Sequence, residues 1–239
     1  MALLGNAFMA IWNDLLDRDQ AEYEAWITGE HMHERISAPG FLRGRRYIST
    51  EAGVQRYLNM YEAAEVEDFS SAAYLRMLDN PSPWTLKMMP GLVRFSRAKL
   101  KILRSVGHGI GGAATTFRFS FAGDDVQTQA AGVALDRELA ALSGVGGDAR
   151  HALGEHATGG LLGYHLGAVE RQQTEHATTE KKLRNSSESE LDFTHVLLVE
   201  APSDDTLQQL RPRIEAALKT SFDGASAVVA GNYRLSYLI

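Results

Sequence analysis

The chain has no cysteine among its 239 residues, few prolines and no long uninterrupted apolar run. The missing thiol excludes a disulfide framework, a cysteine nucleophile and cysteine-ligated zinc, and it fits a cytoplasmic location. Positive charge is scarce as well, because 24 lysines and arginines face 30 acidic residues and leave a net charge of -6. We therefore expect neither nucleic acid nor a membrane as a partner. The apolar start has no basic leader and is interrupted at Asn13 and Asp14, so we interpret it as a strand.

The composition is that of an ordinary globular protein, 44% hydrophobic and 23% charged. The spacing of apolar residues predicts the same order of strands and helices twice along the chain. The first half predicts strands at about 6–12, 41–48, 55–63 and 98–103, with helices at about 19–36 and 70–78. The second half predicts strands near 115–121, 161–169, 193–200 and 232–238, with helices near 124–142 and 204–219. Each half then follows the order βαββαβ, which indicates a duplicated split βαβ unit.

This order predicts the domain organisation. We expect an N-terminal ferredoxin-like half at residues 1–106, a glycine-rich linker at 107–114 and a degenerate C-terminal ferredoxin-like half at 115–239, with a polar hairpin extension at 185–190. A four-stranded sheet with two helices on one face leaves its other face apolar, and the second half can cover that face. The predicted fold is therefore α+β, with two tandem halves packed sheet to sheet into one barrel and the helices outside.

The segment from Trp26 to Tyr47, WITGEHMHERISAPGFLRGRRY, joins a helix with a Glu-His pair to an arginine-rich strand through Pro39-Gly40. Together with Tyr57-Leu58, Tyr61-Glu62 and Ser82-Pro83-Trp84-Thr85, it resembles the dimeric α+β barrel superfamily, and within it the EthD-like proteins with a W…EH.pER…PGF.r.rRY pattern. The resemblance covers roughly residues 6–104 and implies an intrachain dimeric α+β barrel. The second half matches in topology only.

The resemblance implies no single reaction. The superfamily includes cofactor-free monooxygenases, lactone isomerases, ring-cleavage catabolic proteins, haem enzymes and members without known activity. This chain departs from the pattern at His33, where the similar proteins commonly have proline, and the helix predicted at 124–142 has no Glu-His pair. We therefore expect any site to lie in the N-terminal half.

His31 is the first candidate for chemistry. On a helix Tyr23, Ile27 and His31 share one stripe, which directs His31 towards the sheet beneath. There it could act as a general base or acid near neutral pH, oriented by a carboxylate such as Glu30. The structural alternative is a core histidine that donates to a backbone carbonyl. His33 points about 200° away and is expected to face solvent.

The strand predicted at 41–48 carries the candidates for substrate binding. The face expected between the sheets carries Phe41, Arg43, Arg45 and Tyr47, and the face expected against the helices carries Leu42, Gly44, Arg46 and Ile48. A buried arginine needs an anionic partner. Arg43 and Arg45 therefore either clamp an organic acid or form salt bridges with acids of the facing half.

Four further residues are weaker candidates. His165 takes the place of Arg45 in the repeat and His195 lies on the facing strand, so both would meet Arg45 in a polar centre if they point inward. Tyr61 and Trp84 suit a pocket mouth, and they are equally natural as anchors of loops.

Motifs for metals and nucleotides are missing. The glycine-rich run at 107–112 is followed by a predicted strand rather than the helix that a dinucleotide fingerprint requires. The remaining histidines, His108, His151, His156 and His176, lie in polar or glycine-rich stretches, so we expect no dedicated metal site. The resemblance leaves haem open, with His31 as one of several options for an axial ligand.

Three functions are compatible with these features. The first is a cofactor-free isomerase, lyase or monooxygenase-like enzyme acting on a carboxylated or phenolic metabolite, in which His31 moves the proton and Arg43 or Arg45 holds the anion. The second is a non-catalytic ligand-binding or assembly protein, and the third is a haem-dependent enzyme. We favour the first, because a purely structural barrel does not require acid/base histidines and arginine clamps. A homodimer is compatible with each of them.

Overall fold

Eight strands form one closed antiparallel barrel in the computed structural model, which describes residues 3–16, 20–49, 51–143, 160–171, 177–184 and 191–239. The strands are β1 (Ala7–Leu15), β2 (Phe41–Ile48), β3 (Tyr57–Ala63), β4 (Leu92–Gly107), β5 (Ala113–Ser120), β6 (Gly163–Val169), β7 (His195–Ala201) and β8 (Ser226–Leu238). Around the barrel they follow the order β1-β3-β2-β8-β5-β7-β6-β4, and β4 closes the ring by pairing with β1.

The helices pack against the outside of this barrel. They are α1 (Gln20–Trp26), a π-helical turn (Ile27–His31), α2 (Met32–Ile36), α3 (Ala72–Asp79), α4 (Pro83–Met88), α5 (Asp125–Ala140), α6 (Thr179–Leu183) and α7 (Asp204–Ser221), with short 3-10 turns at Val66–Ser70 and Met89–Gly91. Side-chain oxygens fix where the helices begin: Ser71, Ser82, Asp124 and Ser203 each accept a backbone N–H from the first turn.

The strand order is the same in the first four strands and in the last four. Within the barrel the first set runs β4-β1-β3-β2 and the second runs β8-β5-β7-β6. The two sets are joined along both edges by hydrogen-bonded pairs, β2 with β8 and β4 with β6. The prediction of a mixed fold with an eight-stranded barrel inside a layer of helices is confirmed.

The apolar core has three layers. One fills the barrel interior, where Phe8, Trp12 and Leu58 of the first four strands meet Leu198 and Tyr233 of the last four. The other two lie between the barrel wall and the helices, one on each side of the molecule. Because β-strand side chains alternate, each strand contributes to the interior and to one outer layer.

Strand β2 departs from simple alternation at its start. A bulge shifts its pairing with β3 between Phe41 and Arg43. Beyond the bulge, Arg43 and Arg45 join the barrel interior, as predicted. The prediction that Phe41 faces the interior is wrong, because the bulge turns this ring towards the helices, where it lies 5.2 Å from the ring of Phe69 and 4.9 Å from that of Tyr74.

Several expectations fall on parts of the chain that the structure does not describe. The hairpin extension predicted at 185–190 and the histidines at 151, 156 and 176 lie outside the described residues. Of the helices that are described, none is both long and apolar enough to cross a membrane.

Candidate functional site

An ion network crosses the barrel interior at Arg45. Its Nη1 donates to Oε1 of Glu200 at 2.7 Å, and its Nε lies 2.8 Å from Oε1 of Glu62. All three side chains are fully buried. Glu62 also accepts from Arg43, from Nε at 2.8 Å and from Nη2 at 2.6 Å. The two arginines are therefore paired with two carboxylates, one from the neighbouring strand β3 and one from the opposite half.

His165 belongs to the same network. Its Nε2 lies 3.0 Å from Oε2 of Glu200, and its Nδ1 lies 2.9 Å from Oγ of Ser105. The hydroxyl of Tyr47 donates to Oε1 of Glu200 at 3.4 Å. Burial alone raises the pKa of Glu200, but the hydrogen bond from His165 and the charge of Arg45 outweigh it and hold that pKa below its ordinary value. His165 and Arg45 thus meet through a shared carboxylate.

His195 lies on the other side of the barrel wall. In β7 the residues Val196 and Leu198 face the interior, so His195 faces α7. Its ring stacks on Phe119 at 5.4 Å and lies 5.9 Å from Phe222. Burial in this apolar surrounding lowers the pKa of His195 to about 4. The expectation that His195 joins a polar centre with Arg45 is therefore wrong, because the residues of β7 that face the interior are shifted by one position from those expected.

A second group of polar side chains lines a cavity between the helices and the sheet of the first half. We call it the His31 cavity. It offers about 30 Å³ to the centres of water molecules, enough for one or two ordered waters. Its walls are mainly apolar and aromatic: Ile11, Tyr23, Trp26, Ile27, Tyr61, Tyr74, Leu78, Met89, Leu92 and Phe95. Its polar lining comes from Asn13, His31, Arg35, Asn59, Arg97, Glu180 and Arg184.

The π-helical turn places His31 in this cavity. Within the turn, the backbone N–H of Met32 donates to the carbonyl of Ile27, five residues earlier. Tyr23, Ile27 and His31 all line the cavity, as their shared stripe predicts. Burial, and after it the charges of Arg35 and Arg46, hold the pKa of His31 well below its ordinary value. The imidazole is therefore neutral at neutral pH, with its proton-accepting nitrogen unoccupied by any described residue.

Four buried polar atoms on the wall of this cavity have no hydrogen-bond partner among the described residues. They are Oδ1 of Asn13, Nδ1 of His31, Nη1 of Arg35 and the hydroxyl oxygen of Tyr61. A buried polar atom without a partner costs about 1–3 kcal/mol, and the great majority of such atoms in folded proteins are paired. Four such atoms around one cavity indicate a position where a polar ligand or water can supply the missing hydrogen bonds.

Arg35 brings a positive charge to the cavity. Its side chain is 2% exposed, and its Nη2 forms an ion pair with Oε1 of Glu180, which comes from α6 in the second half. Burial raises the pKa of Glu180, against the opposing charge of Arg35. The guanidinium also lies 5.9 Å from the centre of the Tyr74 ring.

Comparison with known proteins finds similar structures, whereas no protein-family model and no curated protein matches the chain. An anthrone oxidase-like protein superposes with a TM-score of 0.55 at 10% identity, over 100% of this chain and 95% of that chain. A candidate monooxygenase from Lactobacillus acidophilus NCFM gives 0.54 at 10% identity, over 98% and 95%. Chlorite dismutase from Candidatus Nitrospira defluvii gives 0.52 at 9% identity, over 98% and 92%.

The chain shares its fold, an antiparallel barrel with helices outside it, with these proteins. At identities near 10% this likeness shows the fold alone, so the chemistry has to be argued from the site. Among the residues that the structure describes, no cluster of three or more histidine, aspartate or glutamate side chains is placed to hold a metal ion.

The remaining candidates lie at the edge of the α+β barrel's helical layer. Glu30 accepts a hydrogen bond from Oγ of Ser82 at 2.5 Å, at the start of α4, so its carboxylate is engaged away from His31. Trp84 is partly buried in the helix-side core and does not line the His31 cavity. His33 is exposed, as expected, with Nε2 3.1 Å from the hydroxyl of Tyr237.

Sequence reasoning missed the two charged residues that shape the cavity. Arg35 stands four residues after His31 and therefore continues the stripe of Tyr23, Ile27 and His31, which is a signal that could have identified it. Glu180 carries no such signal, because it is 145 residues away from Arg35 and lies in a short polar helix. Only the closed barrel brings the two together.

Proposed function

We propose that the chain is a small-molecule enzyme whose active site is the His31 cavity, and that it performs cofactor-free acid/base chemistry on a carboxylated or phenolic metabolite. The observation that carries the proposal is the set of four unpartnered polar atoms around one cavity, one of them on a neutral histidine. A cavity with apolar walls and a few convergent polar groups is the usual form of a small-molecule site. The likeness of the fold to an anthrone oxidase-like protein and a candidate monooxygenase supports the choice of an enzyme.

In this mechanism Nδ1 of His31 accepts a proton from a phenolic O–H or from a C–H next to a carbonyl. The anion that remains is stabilised by the positive charge of Arg35 and by a hydrogen bond from the hydroxyl of Tyr61. Burial raises the pKa of Tyr61, so this hydroxyl keeps its proton and acts as a donor. Reprotonation at another carbon gives isomerisation, loss of a leaving group gives elimination, and reaction with molecular oxygen gives oxygenation. All three share the first step.

The cavity must enlarge to admit a substrate. Its present space of about 30 Å³ holds water, whereas pockets for organic ligands measure about 300–1,000 Å³. Glu180 and Arg184 form one wall of the cavity. Glu180 belongs to α6 and Arg184 follows it, and this helix lies outside the barrel. We infer that substrate enters on this side.

Arg43, Arg45, Tyr47 and His165 take a structural role in this proposal. Arg43 and Arg45 already have carboxylate partners in Glu62 and Glu200, and neither lines the His31 cavity. The network ties β2 of the first half to β7 of the second. We therefore propose Arg35, rather than Arg43 or Arg45, as the residue that binds the anionic group of the substrate.

The same topology supports the proposal of a fused repeat. The strand orders β4-β1-β3-β2 and β8-β5-β7-β6 are what two ferredoxin-like units give when they share one barrel. We infer a tandem arrangement with halves at 1–106 and 115–239, in which the first half holds the site and the second completes the barrel.

The residues around the three buried histidines that the structure describes do not fit haem, and His165 already uses both ring nitrogens, next to Glu200 and Ser105. At His31 the Trp26 ring lies 4.4 Å from the imidazole, on the side that an axially bound haem would need. His195 is enclosed by the rings of Phe119 and Phe222, which occupy the space that a tetrapyrrole plane would need. A featureless absorbance spectrum of the purified protein above 350 nm is the expected result, and a Soret band would favour the haem alternative.

The test compares His31→Asn with His33→Asn, which changes an exposed histidine on the same helix. Oxygen uptake and product formation are followed with phenolic acids and anthrones as probes, with circular dichroism as a check on the fold. We expect the rate with His31→Asn to fall by about 100- to 10,000-fold, the usual contribution of a general base, while His33→Asn keeps the wild-type rate.

The acid limb of the rate profile gives an independent check. Because the pKa of His31 is held well below its ordinary value, the wild-type rate should stay constant through pH 6.5 and fall only in more acidic solution. Equal rates for wild type and His31→Asn would refute the proposal. Binding without turnover of any probe would favour the non-catalytic alternative.

A further inference from the structure

Glu180 supplies the one carboxylate among the described residues that line the His31 cavity. Glu180 is 3% exposed and forms an ion pair with Nη2 of Arg35. Nη1 of the same guanidinium has no partner among the described residues. A guanidinium can bind a carboxylate through two parallel hydrogen bonds, and Glu180 leaves Nη1 of Arg35 unused.

The helix that carries Glu180 is short and is held by several polar contacts: the backbone N–H of Thr179 donates to Oδ1 of Asp79 at 3.0 Å, and the buried Arg184 lies over the Phe95 ring. Helix α6 has five residues, too few for appreciable helical stability of its own. Glu180 is its one fully buried side chain, whereas Lys182 is exposed and Leu183 is only partly buried. A helix of this length usually docks through apolar side chains. In this helix the buried side chain is instead the charged Glu180, which lines the cavity.

Burying that charge has an energetic consequence. A carboxylate and a guanidinium in a buried pair lose their hydration, and their attraction offsets the loss only in part. Removing Glu180 alone would leave Arg35 buried and unpaired. A carboxylate from a ligand, however, can replace that of Glu180 on Arg35 without leaving the arginine unpaired, and it can engage Nη1 as well.

We propose that Arg35 is the carboxylate-binding residue of the His31 cavity and that Glu180 is an internal occupant of this subsite, which the carboxylate of an aromatic acid displaces. The aromatic part of the ligand would lie among Trp26, Tyr61 and Phe95, where the guanidinium carbon of Arg184 already stands 4.1 Å from the centre of the Phe95 ring. Displacement of Glu180 removes the buried contact between α6 and Arg35, so that this side of the cavity can widen around the ligand. This inference rests on the proposed function for the location of the site, but it concerns binding and can be tested without turnover.

Benzoate is the probe, and its affinity is measured by isothermal titration calorimetry at neutral pH and constant ionic strength. In Glu180→Gln the internal charge is lost and the shape of the side chain is kept, so we expect benzoate to bind at least tenfold more tightly than to the wild type. The matched control is Lys182→Gln, which removes an exposed charge from the same helix and should leave the affinity unchanged.

A second variant tests Arg35 while avoiding an unpaired buried charge. The double substitution Arg35→Gln with Glu180→Gln removes both members of the ion pair, and circular dichroism verifies its fold. We expect it to lose the benzoate binding gained in Glu180→Gln. The proposal is overturned if Glu180→Gln binds no more tightly than the wild type, or if the double variant binds as tightly as Glu180→Gln.

The outcome is independent of the catalytic proposal. Tight benzoate binding to Glu180→Gln, together with equal turnover by wild type and His31→Asn, would keep the carboxylate subsite and reject His31 as the base. Turnover that depends on His31, with no effect of Glu180→Gln on benzoate binding, would do the reverse.

Discussion

Replacing Glu200 with glutamine should unbalance the charges inside the barrel. The network contains two arginines, Arg43 and Arg45, and two glutamates, Glu62 and Glu200, all of them buried. Glu200 accepts hydrogen bonds from Nη1 of Arg45 at 2.7 Å and from the backbone N–H of Gly111 at 3.2 Å. With glutamine in its place, one positive charge in the interior has no counter-charge.

The expected cost follows from the burial. Removing one partner of a buried ion pair destabilises a protein by about 3–5 kcal/mol. We expect the lower end, about 3 kcal/mol, because glutamine keeps the shape and its carbonyl can still accept from Arg45. For a chain of this size each kcal/mol corresponds to about 2–4 °C in melting temperature, so Glu200→Gln should melt about 6–12 °C below the wild type.

The assay is thermal and urea unfolding followed by circular dichroism, with Glu22→Gln as the control. Glu22 pairs with Lys87 at 2.5 Å, but the lysine side chain is 63% exposed, and exposed pairs contribute about 0–1 kcal/mol. If Glu200→Gln melts no lower than Glu22→Gln, the network does not stabilise the barrel and the reasoning fails.

Two further measurements make the argument specific to charge. Adding Arg45→Met to Glu200→Gln leaves Arg43 paired with Glu62 and restores neutrality, so the double variant should lose less stability than the sum of the single ones, by about 0.5–3 kcal/mol. Because the pKa of Glu200 is lower in the folded than in the unfolded chain, its contribution is complete above pH 4.5 and disappears as the pH falls through the folded value. The difference between wild type and Glu200→Gln should shrink in that acidic range.

Two other substitutions test local features. Gly40 has a φ of +90°, and a Cβ there would lie 2.1 Å from the carboxyl carbon of Asp68. Gly53 has a similar φ of +88°, but apart from its chain neighbours no described residue lies within 4 Å of its Cβ position. Gly40→Ala should therefore lower the free energy of unfolding in urea more than Gly53→Ala, and equal losses would contradict the predicted clash. The pKa of His195 is about 4 when folded against an ordinary 6.5, so the unfolded chain binds protons more readily between these values and the wild type should lose stability as the pH falls from 6.5 to 4. His195→Phe should lose less over that window, and parallel pH profiles for the two proteins would refute the assignment.

Where apolar and polar residues alternate clearly, the sequence was sufficient to predict the strand. Strand β2 occupies the predicted residues 41–48, because a turn at Gly40 bounds a run of alternating side chains. Strand β4 begins at Leu92, six residues before its predicted start, and β8 begins at Ser226, six before its own. Both strands pair with neighbours on each side, and this pairing extends them beyond the stretch in which alternation is visible in the sequence.

The site could be predicted only in part for the same reason. Helical spacing placed His31 on a stripe with Tyr23 and Ile27, and the structure puts all three on one cavity. The direction of a strand residue was harder to predict, since one position separates His195 from the interior-facing Val196. The contact between Arg35 and Glu180 depends on the closure of the whole barrel, and no local property of either segment indicates it.

The two polar centres differ in a way that separates stability from function. In the barrel interior the charges of two arginines are matched by two glutamates, and hydrogen-bonded strands surround the centre, although Nη2 of Arg45 has no hydrogen-bond partner among the described residues. On the helix side of the first half, four polar atoms lack partners and one wall is a five-residue helix. The corresponding layer of the second half is filled by apolar side chains such as Leu135, Leu139 and Leu197. A ligand that binds between the helices and the sheet of the first half can therefore form hydrogen bonds with four polar atoms that have no partner among the described residues, beside a wall that is only five residues long.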